Sequence, residues 1–281
     1  MSSHISNLAS AYHLPAGNTI PALQLGVYKS DPAVTTKSVQ TALENGYKGV
    51  DSAQYYANEK ESAEAINAYE KAHQENIFIT TKIMESAGDV DANYHKCLES
   101  IEKIGKAVDL FLIHSPGQAR GAEDRKSLWL ALERLVEEKR VKAIGVSNYG
   151  VKHLQELEKY ATQPISVNQL ELHPWFQQRE IVSYCQQRGI LLEAYCPLVR
   201  GKKAEHPTLV RIASECAKSW AQVLVRWSLQ KAFVTLPKSD NADRQIHNAD
   251  VFDFVLSDEQ MHALDALDAG EHIAPNPVNC D

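Results

Sequence analysis

The sequence predicts an α/β protein of the closed (β/α)8 (TIM) barrel class, on three observations. Eight short apolar runs rich in β-branched residues alternate with longer amphipathic stretches. The run VDLFLI at 108–113 is almost continuously apolar, which is typical of a parallel strand covered on both faces. A length of 281 residues suits one such barrel.

The predicted strands lie at 23–27, 48–51, 77–82, 108–114, 141–147, 165–169, 190–195 and 233–236. A hairpin over 12–20, turning at Gly17-Asn18, precedes them and is expected to plug the barrel floor. The first helix is predicted to begin at Ser30-Asp31-Pro32 and to end at Asn45-Gly46. Two later helices are indicated by apolar residues on one stripe: Leu128, Leu132 and Leu135, and then Val151, Leu154 and Leu157.

Length alone allows one or two domains, but neither a linker nor a shift in composition divides the chain. We therefore expect a single domain over residues 1–281. A doubly wound sheet is the alternative fold. It is disfavoured, though not excluded, because the chain has no GxGxxG or Walker loop.

Composition excludes several classes of function. The net charge is −7 with both signs interspersed, which is unlike a nucleic-acid-binding protein. The five cysteines are an odd number without CxxC or metal-ligand spacing, so free thiols and no metal site are expected. Without a secretory signal or a long apolar segment, the chain is expected to be cytoplasmic and to bind no membrane.

Polar side chains end nearly every predicted strand, and in a (β/α)8 barrel these ends form the active-site mouth. In strand order they are Asp51 with nearby Tyr55 and Tyr56, Lys82, His114, Ser147-Asn148, Asn168-Gln169, Tyr195 and Lys238-Ser239. Taken singly, each is more readily explained as a helix cap or a solvated side chain. Because all of them converge on one mouth, a catalytic site is the better explanation.

Four of these residues form a coherent proton-donor group. Tyr56 is a poor acid at its ordinary pKa of about 10 unless its phenolate is stabilised. The positive charge of Lys82 is expected to lower that pKa, and Asp51 to hold Lys82 in a salt bridge. A neutral His114 could direct a substrate carbonyl through its N–H.

Six segments together resemble the aldo-keto reductases, in the order that this family shows. They are DSAQYYANE at 51–59, TTK ending at Lys82, LIHSP around His114, GVSNYG at 145–150, NQLELHPW at 168–175 and LPKSDNADR at 236–244. The chain is most similar to the small fungal or bacterial type of carbonyl reductase that uses NADPH.

The resemblance implies a role for each matched position. The catalytic residues would be Asp51, Tyr56, Lys82 and His114, with Tyr56 as proton donor. The NADPH/NADP+ site would comprise Ser147, Asn148 and Gln169 at the carboxamide, Tyr195 stacked on the nicotinamide, Leu198 and Arg200 in the loop expected at the pyrophosphate, Lys238, Ser239 and Arg244 at the 2′-phosphate, and Asn248 at the adenine. Two cations beside a helix start suit a dianionic phosphate, which favours NADPH over NADH.

Departures from the family pattern concern the substrate. Ser115 and Met84 stand where many relatives carry Trp, Cys196 stands where Ser is frequent, and the chain ends soon after Asp268. We expect an open pocket lined by Tyr28, Tyr55, Met84, Ser115 and Trp175, although Tyr28 and Met84 could equally be packing residues. The resemblance then favours aldehydes, α-keto esters or activated ketones as substrates.

Two other functions are kept as alternatives on the same fold. One is a cofactor-sensing binding subunit, and the other is an NAD-preferring polyol or sugar dehydrogenase. For the reductase, the expected partner is a small carbonyl compound and the expected state is a monomer. Its cofactor mouth is expected to be basic, with Arg200, Lys202, Lys203, Lys238 and Arg244 on a negative body.

Overall fold

An eight-stranded parallel sheet forms the centre of the computed structural model, which describes residues 5–118 and 120–281. The strands are β1 (Ala11–His13), β2 (Thr19–Pro21), β3 (Leu25–Gly26), β4 (Gly49–Asp51), β5 (Phe78–Ile83), β6 (Val108–Ile113), β7 (Val141–Ser147), β8 (Val167–Glu171), β9 (Leu191–Tyr195) and β10 (Val234–Leu236). The helices are α1 (Pro32–Glu44), α2 (Glu59–His73), α3 (Val90–Ile104), α4 (Ala122–Glu137), α5 (Val151–Leu157), α6 (Arg179–Gln187), α7 (Pro207–Glu215), α8 (Trp220–Gln230), α9 (Ala242–Ala249) and α10 (Asp258–Asp265).

Hydrogen bonds between the first and last strand regions close the sheet into a barrel. Strands β3 to β10 follow one another in chain order, and every neighbouring pair is parallel. The Gln24 amide donates to the Thr235 carbonyl at 3.0 Å, and the Gly26 amide donates to the Pro237 carbonyl at 3.1 Å. The predicted (β/α)8 barrel is confirmed.

The hairpin of β1 and β2 covers the floor of the barrel. Leu14 and Ile20 are buried in the core. The Tyr12 hydroxyl donates to the Leu229 carbonyl at 3.4 Å, near the end of α8 and just before β10 begins. Because this contact lies at the amino-terminal end of β10, the opposite end of the barrel is left as the open mouth.

Helix α1 shows how local sequence sets the boundaries of an element. The Asp31 carboxylate accepts a hydrogen bond from the Ala33 amide at 2.8 Å, Pro32 occupies the first turn, and Asn45 ends the helix. Both predicted ends are therefore confirmed.

Strand β8 begins and ends two residues later than predicted. Its pairing with β9 continues through Leu170 and Glu171, which lie opposite Ala194 and Tyr195. The polar Glu171 gave no apolar signal, since its burial depends on contacts that are distant in sequence.

Alternation along the strands decides which side chains enter the barrel. A Cβ atom on Gly49 would lie 2.6 Å from the Gln24 side chain. Position 49 therefore faces the barrel interior and has no room for a side chain. Asp51 lies two residues further along β4 and faces the same way.

No helix within residues 5–118 and 120–281 is sufficiently long and apolar to cross a membrane.

Candidate active site

A buried ion pair lies at the base of the mouth. The Lys82 ammonium on β5 is 2.7 Å and 2.8 Å from the two Asp51 carboxylate oxygens at the end of β4. It also donates to the Ser52 carbonyl at 2.8 Å, and its side chain is fully buried. Three acceptors therefore hold one ammonium group in place and keep its charge in a low-dielectric site.

Tyr56 lies directly above this pair, in the short 3₁₀ helix Gln54–Tyr56 that follows β4. The Lys82 ammonium is 3.3 Å from the Tyr56 hydroxyl oxygen and 4.9 Å from the centre of its ring. The Lys82 charge, which favours the phenolate, does not set the pKa of Tyr56 by itself. Burial raises that pKa well above 10, and the Asp51 carboxylate raises it further.

His114 directly follows β6 and faces Tyr56. The two rings are nearly perpendicular, with centroids 5.6 Å apart. Burial lowers the pKa of His114 to about 3, and the nearby Lys82 charge acts in the same direction. At neutral pH the imidazole is therefore uncharged and has one N–H to donate. Among the described residues, its buried Nδ1 atom has no hydrogen-bond partner.

The predicted pocket residues lie in different surroundings. The ring of Tyr28 is 5.0 Å from that of Tyr56, while Tyr55 is 60% exposed and 6.3 Å from the His114 ring. Met84, just after β5, is half-buried, and Ser115 is buried with its hydroxyl accepting from the Gly117 amide at 3.2 Å.

Trp175 is only 2% exposed. Its ring packs edge-on against His206 at 5.4 Å, and its carbonyl accepts hydrogen bonds from the amides of Ala269 and Glu271. Trp175 is thus covered by the C-terminal segment, residues 266–281, and its predicted part in the pocket stays a prediction.

Hydroxyl and amide groups cluster at the ends of β7 to β9. The Asn148 amide nitrogen donates to the His114 carbonyl at 3.0 Å, and the Tyr195 hydroxyl donates to the Asn148 side-chain oxygen at 2.8 Å. The Ser147 hydroxyl donates to the Gln169 carbonyl at 2.9 Å. These bonds connect the half-buried Tyr195 ring to the loop that carries His114.

Gln169 joins the ion pair to a second buried carboxyl group. Its amide nitrogen donates to Asp51 at 2.9 Å and to Glu193 at 2.8 Å. Burial raises the pKa of the fully buried Glu193 to about 8, and the Asp51 charge adds to this effect. With both amide hydrogens committed to carboxyl groups, the side-chain oxygen of Gln169 remains as the acceptor.

The loop after β9 has unusual backbone conformations. Cys196, Val199 and Arg200 have φ values of 51°, 50° and 49°, a region that non-glycine residues seldom occupy. Leu198 is half-buried in this loop, and Arg200 is exposed. Conformations of this kind cluster where proteins bind ligands, because the surrounding structure must hold them.

A separate polar group lies after β10, at the start of α9. The Asn241 side chain caps this helix by accepting from the Arg244 amide at 2.9 Å, and the Arg244 side chain donates to the Ser239 hydroxyl at 3.3 Å. Lys238 forms an ion pair with Asp240. Asn248 is buried on the same helix. The structure therefore brings the predicted 2′-phosphate residues together and adds a carboxylate to them.

The sequence model of the aldo/keto reductase family matches residues 22–269. The chain belongs to the aldo/keto reductase family. It is therefore an oxidoreductase of the class that acts on carbonyl groups.

Relatives of this aldo/keto reductase have been found among both sequences and structures. The chain is 40% identical to the glyoxal reductase of Bacillus subtilis over 278 residues, which cover 97% of this chain and 98% of that protein. An aldo-keto reductase from a Medee basin deep-sea metagenome library is 34% identical, with a TM-score of 0.89 over 97% of this chain and all of the other. A Bombyx mori aldo-keto reductase, solved in complex with NADP, is 27% identical, with a TM-score of 0.88 over 96% and 99% of the two chains.

Sequence reasoning gave no role to three carboxylates of this reductase. Glu193 interrupts the apolar run LLEAY and lies two residues before Tyr195, so alternation could have placed it inside the barrel. Glu171 accepts from the backbone amides of Ile273 and Ala274 at 2.6 Å and 2.8 Å and thereby holds the C-terminal segment. Asp240 lies inside the segment LPKSDNADR at 236–244, but nothing in the sequence showed that it pairs with Lys238.

Proposed function

We propose that this protein reduces small aldehydes and activated ketones to alcohols with NADPH, and that Tyr56 donates the proton. The observation that carries this proposal is the position of the Tyr56 hydroxyl, 3.3 Å from an ammonium group that Asp51 holds on its other side. A phenol that is protonated, partly buried and next to a fixed positive charge is suited to general-acid catalysis of carbonyl reduction.

In the proposed step, the Tyr56 O–H bond breaks and its proton passes to the substrate oxygen as negative charge develops there. The high pKa of Tyr56 keeps the proton in place until that charge appears. The ammonium of Lys82 then stabilises the phenolate that remains. Neutral His114 donates its N–H to the same substrate oxygen and so orients the carbonyl.

The residues of the mouth suit a nicotinamide dinucleotide phosphate. Ser147, Asn148 and Gln169 place hydroxyl and amide groups, of the kinds that bind a carboxamide, beside the flat ring of Tyr195. Lys238, Ser239 and Arg244 at the start of α9 offer two cations and a hydroxyl for a phosphate. The Bombyx mori relative is described in complex with NADP, which adds support.

When bound, NADPH supplies the hydride that the carbonyl carbon receives. The chain contributes position and a proton. With Ser115 and Met84 in place of larger aromatic side chains, we expect the pocket to take aldehydes, α-keto esters and activated ketones. The name of the Bacillus subtilis relative, glyoxal reductase, agrees with a small carbonyl substrate.

The direct test is Tyr56→Phe, assayed by the loss of NADPH absorbance with a panel of aldehydes and ketones. We expect kcat to fall by about 10² to 10⁴, the usual contribution of a general acid. NADPH affinity, measured by quenching of protein fluorescence, should stay within about a factor of two, because only one hydroxyl is removed.

Tyr69→Phe is the matched control, since it removes the same hydroxyl from the surface of α2, away from the mouth. It should leave kcat unchanged. If Tyr56→Phe retained wild-type turnover, another group would have to donate the proton and the proposed mechanism would be refuted.

A further inference from the structure

Lys238 does not present a bare ammonium group at the proposed phosphate site. The Asp240 carboxylate forms an ion pair with it, and the Ser30 hydroxyl donates to an oxygen of the same carboxylate. Both charged side chains are partly exposed, at 33% for Lys238 and 30% for Asp240. A ligand can therefore reach the pair.

The surroundings hold Asp240 on Lys238. Ser30 is buried, its amide donates to the Val27 carbonyl at 3.0 Å, and its own carbonyl accepts from the Asn58 side chain at 3.1 Å. The hydroxyl that contacts Asp240 thus comes from a fixed part of the β3–α1 loop. The carboxylate is tied at both oxygens, to Ser30 through one and to Lys238 through the other.

The local charge at this site follows directly. Lys238 and Arg244 contribute two positive charges, and the negative charge of Asp240 cancels one of them. A 2′-phosphate carries close to two negative charges at neutral pH, so a fixed carboxylate beside it is repulsive and competes for the same ammonium. NADH has no 2′-phosphate and meets no such competition.

We propose that Asp240 is a specificity-determining residue that weakens the preference of this reductase for NADPH over NADH. The proposal rests on the proposed function, since it takes Lys238 as a ligand of the 2′-phosphate. Two unit charges a few ångströms apart interact even in water, and more strongly where they are partly buried. Removing the Asp240 charge is therefore worth about tenfold in affinity for the phosphorylated cofactor, or about 1.4 kcal/mol.

The test is isothermal titration of the cofactor-free protein with NADP+ and NAD+, and with the shorter probes 2′,5′-ADP and 5′-ADP. Asp240→Asn keeps an acceptor for Ser30 and removes the charge. We expect it to tighten NADP+ and 2′,5′-ADP by about tenfold and to leave NAD+ and 5′-ADP within about twofold. Asp243→Asn is the matched control, because it removes an equal charge from the first turn of α9 without touching Lys238. It should change the NADP+ to NAD+ ratio by less than about threefold.

Lys238→Ala separates failure of this inference from failure of the proposed function. If Lys238→Ala weakens NADP+ selectively but Asp240→Asn leaves the ratio unchanged, the role of Asp240 is refuted and the phosphate site stands. If Lys238→Ala also leaves the ratio unchanged, the phosphate site itself is misplaced. An equal gain for NADP+ and NAD+ in Asp240→Asn would likewise overturn the inference, since it would show a general effect on binding. When Asp240→Asn is combined with Lys238→Ala, its gain in NADP+ affinity should be largely lost.

Discussion

The His114 ring lies where a positive charge is costly, because it is half-buried and close to the Lys82 ammonium. A neutral ring is what the proposed role requires, since it can then donate one N–H without becoming a competing acid. In enzymes of this kind, the environment of a side chain matters as much as its type.

The lowered pKa of His114 predicts a loss of stability in acid. In the unfolded chain the ring binds a proton below about pH 6.5, whereas the folded protein resists protonation down to about pH 3. The free energy of unfolding should therefore fall as the pH drops below about 6.5, by up to about 1.4 kcal/mol per pH unit from this group.

Urea unfolding of the wild type and of His114→Gln between pH 4 and 7 isolates this contribution, because other groups titrate alike in both proteins. The stability of the variant should depend less on pH. Parallel curves for the two proteins would show that His114 is readily protonated in the folded state.

The ion pair of Lys82 and Asp51 predicts a distinctive set of variant stabilities. Lys82→Met should lower the free energy of unfolding by about 3–5 kcal/mol, because Asp51 would be left buried without a counter-charge. Adding Asp51→Asn removes that charge, so the double variant should be more stable than Lys82→Met alone. Neither variant should regain activity.

The free energies of unfolding are measured by denaturant unfolding monitored by circular dichroism. A double variant that is less stable than Lys82→Met would contradict this expectation, since the unpaired Asp51 charge would then not be the cause of the loss.

The start of α5 and the C-terminal segment are packed backbone against backbone. A Cβ atom on Gly150 would lie 2.0 Å from the Val278 carbonyl oxygen, so only glycine allows this contact. The His153 Nε2 atom donates to the Cys280 carbonyl at 2.9 Å, since Nδ1 of the same ring accepts from the Gly150 amide. One short helix thus holds the end of the chain.

Gly150→Ala should lower the free energy of unfolding by about 1–3 kcal/mol, the usual cost of an overpacked site. Hydrogen exchange of the amides in 277–281 should become faster, because the segment must move away. In a chain ending at residue 276 the same substitution should cost much less. An equal cost in both backgrounds would place the clash elsewhere.

The charge of the whole molecule is less simply arranged than its sequence indicates. The net charge is −7, and five basic residues were expected to make the cofactor mouth positive. The structure pairs two of them with carboxylates, Lys203 with Glu271 and Lys238 with Asp240. Arg200, Lys202 and Arg244 form no ion pair among residues 5–118 and 120–281, and they carry the remaining positive field.

This field predicts a salt dependence that differs between cofactors. Affinity for NADP+ should fall more steeply with ionic strength than affinity for NAD+, because the extra phosphate interacts with exposed cations that salt screens over about 10 Å at 0.1 M. Cofactor titrations should show that the preference for NADP+ falls severalfold when sodium chloride is raised from 0.05 M to 0.5 M. Equal slopes for both cofactors would argue against a phosphate site at Lys238 and Arg244.

The sequence by itself determined the eight strands, the helix start at Asp31 and the order of polar residues at the strand ends. These follow from apolar periodicity and capping, which are properties of neighbouring residues. Only the tertiary structure decided that Glu193 lies against Gln169, that Glu171 holds Ile273 and that Asp240 covers Lys238. Such pairings join separate segments of the chain or depend on a side-chain conformation that packing selects, and no local pattern encodes them. The cofactor mouth was expected from the sequence to be basic, and in the folded protein it also contains the carboxylate of Asp240.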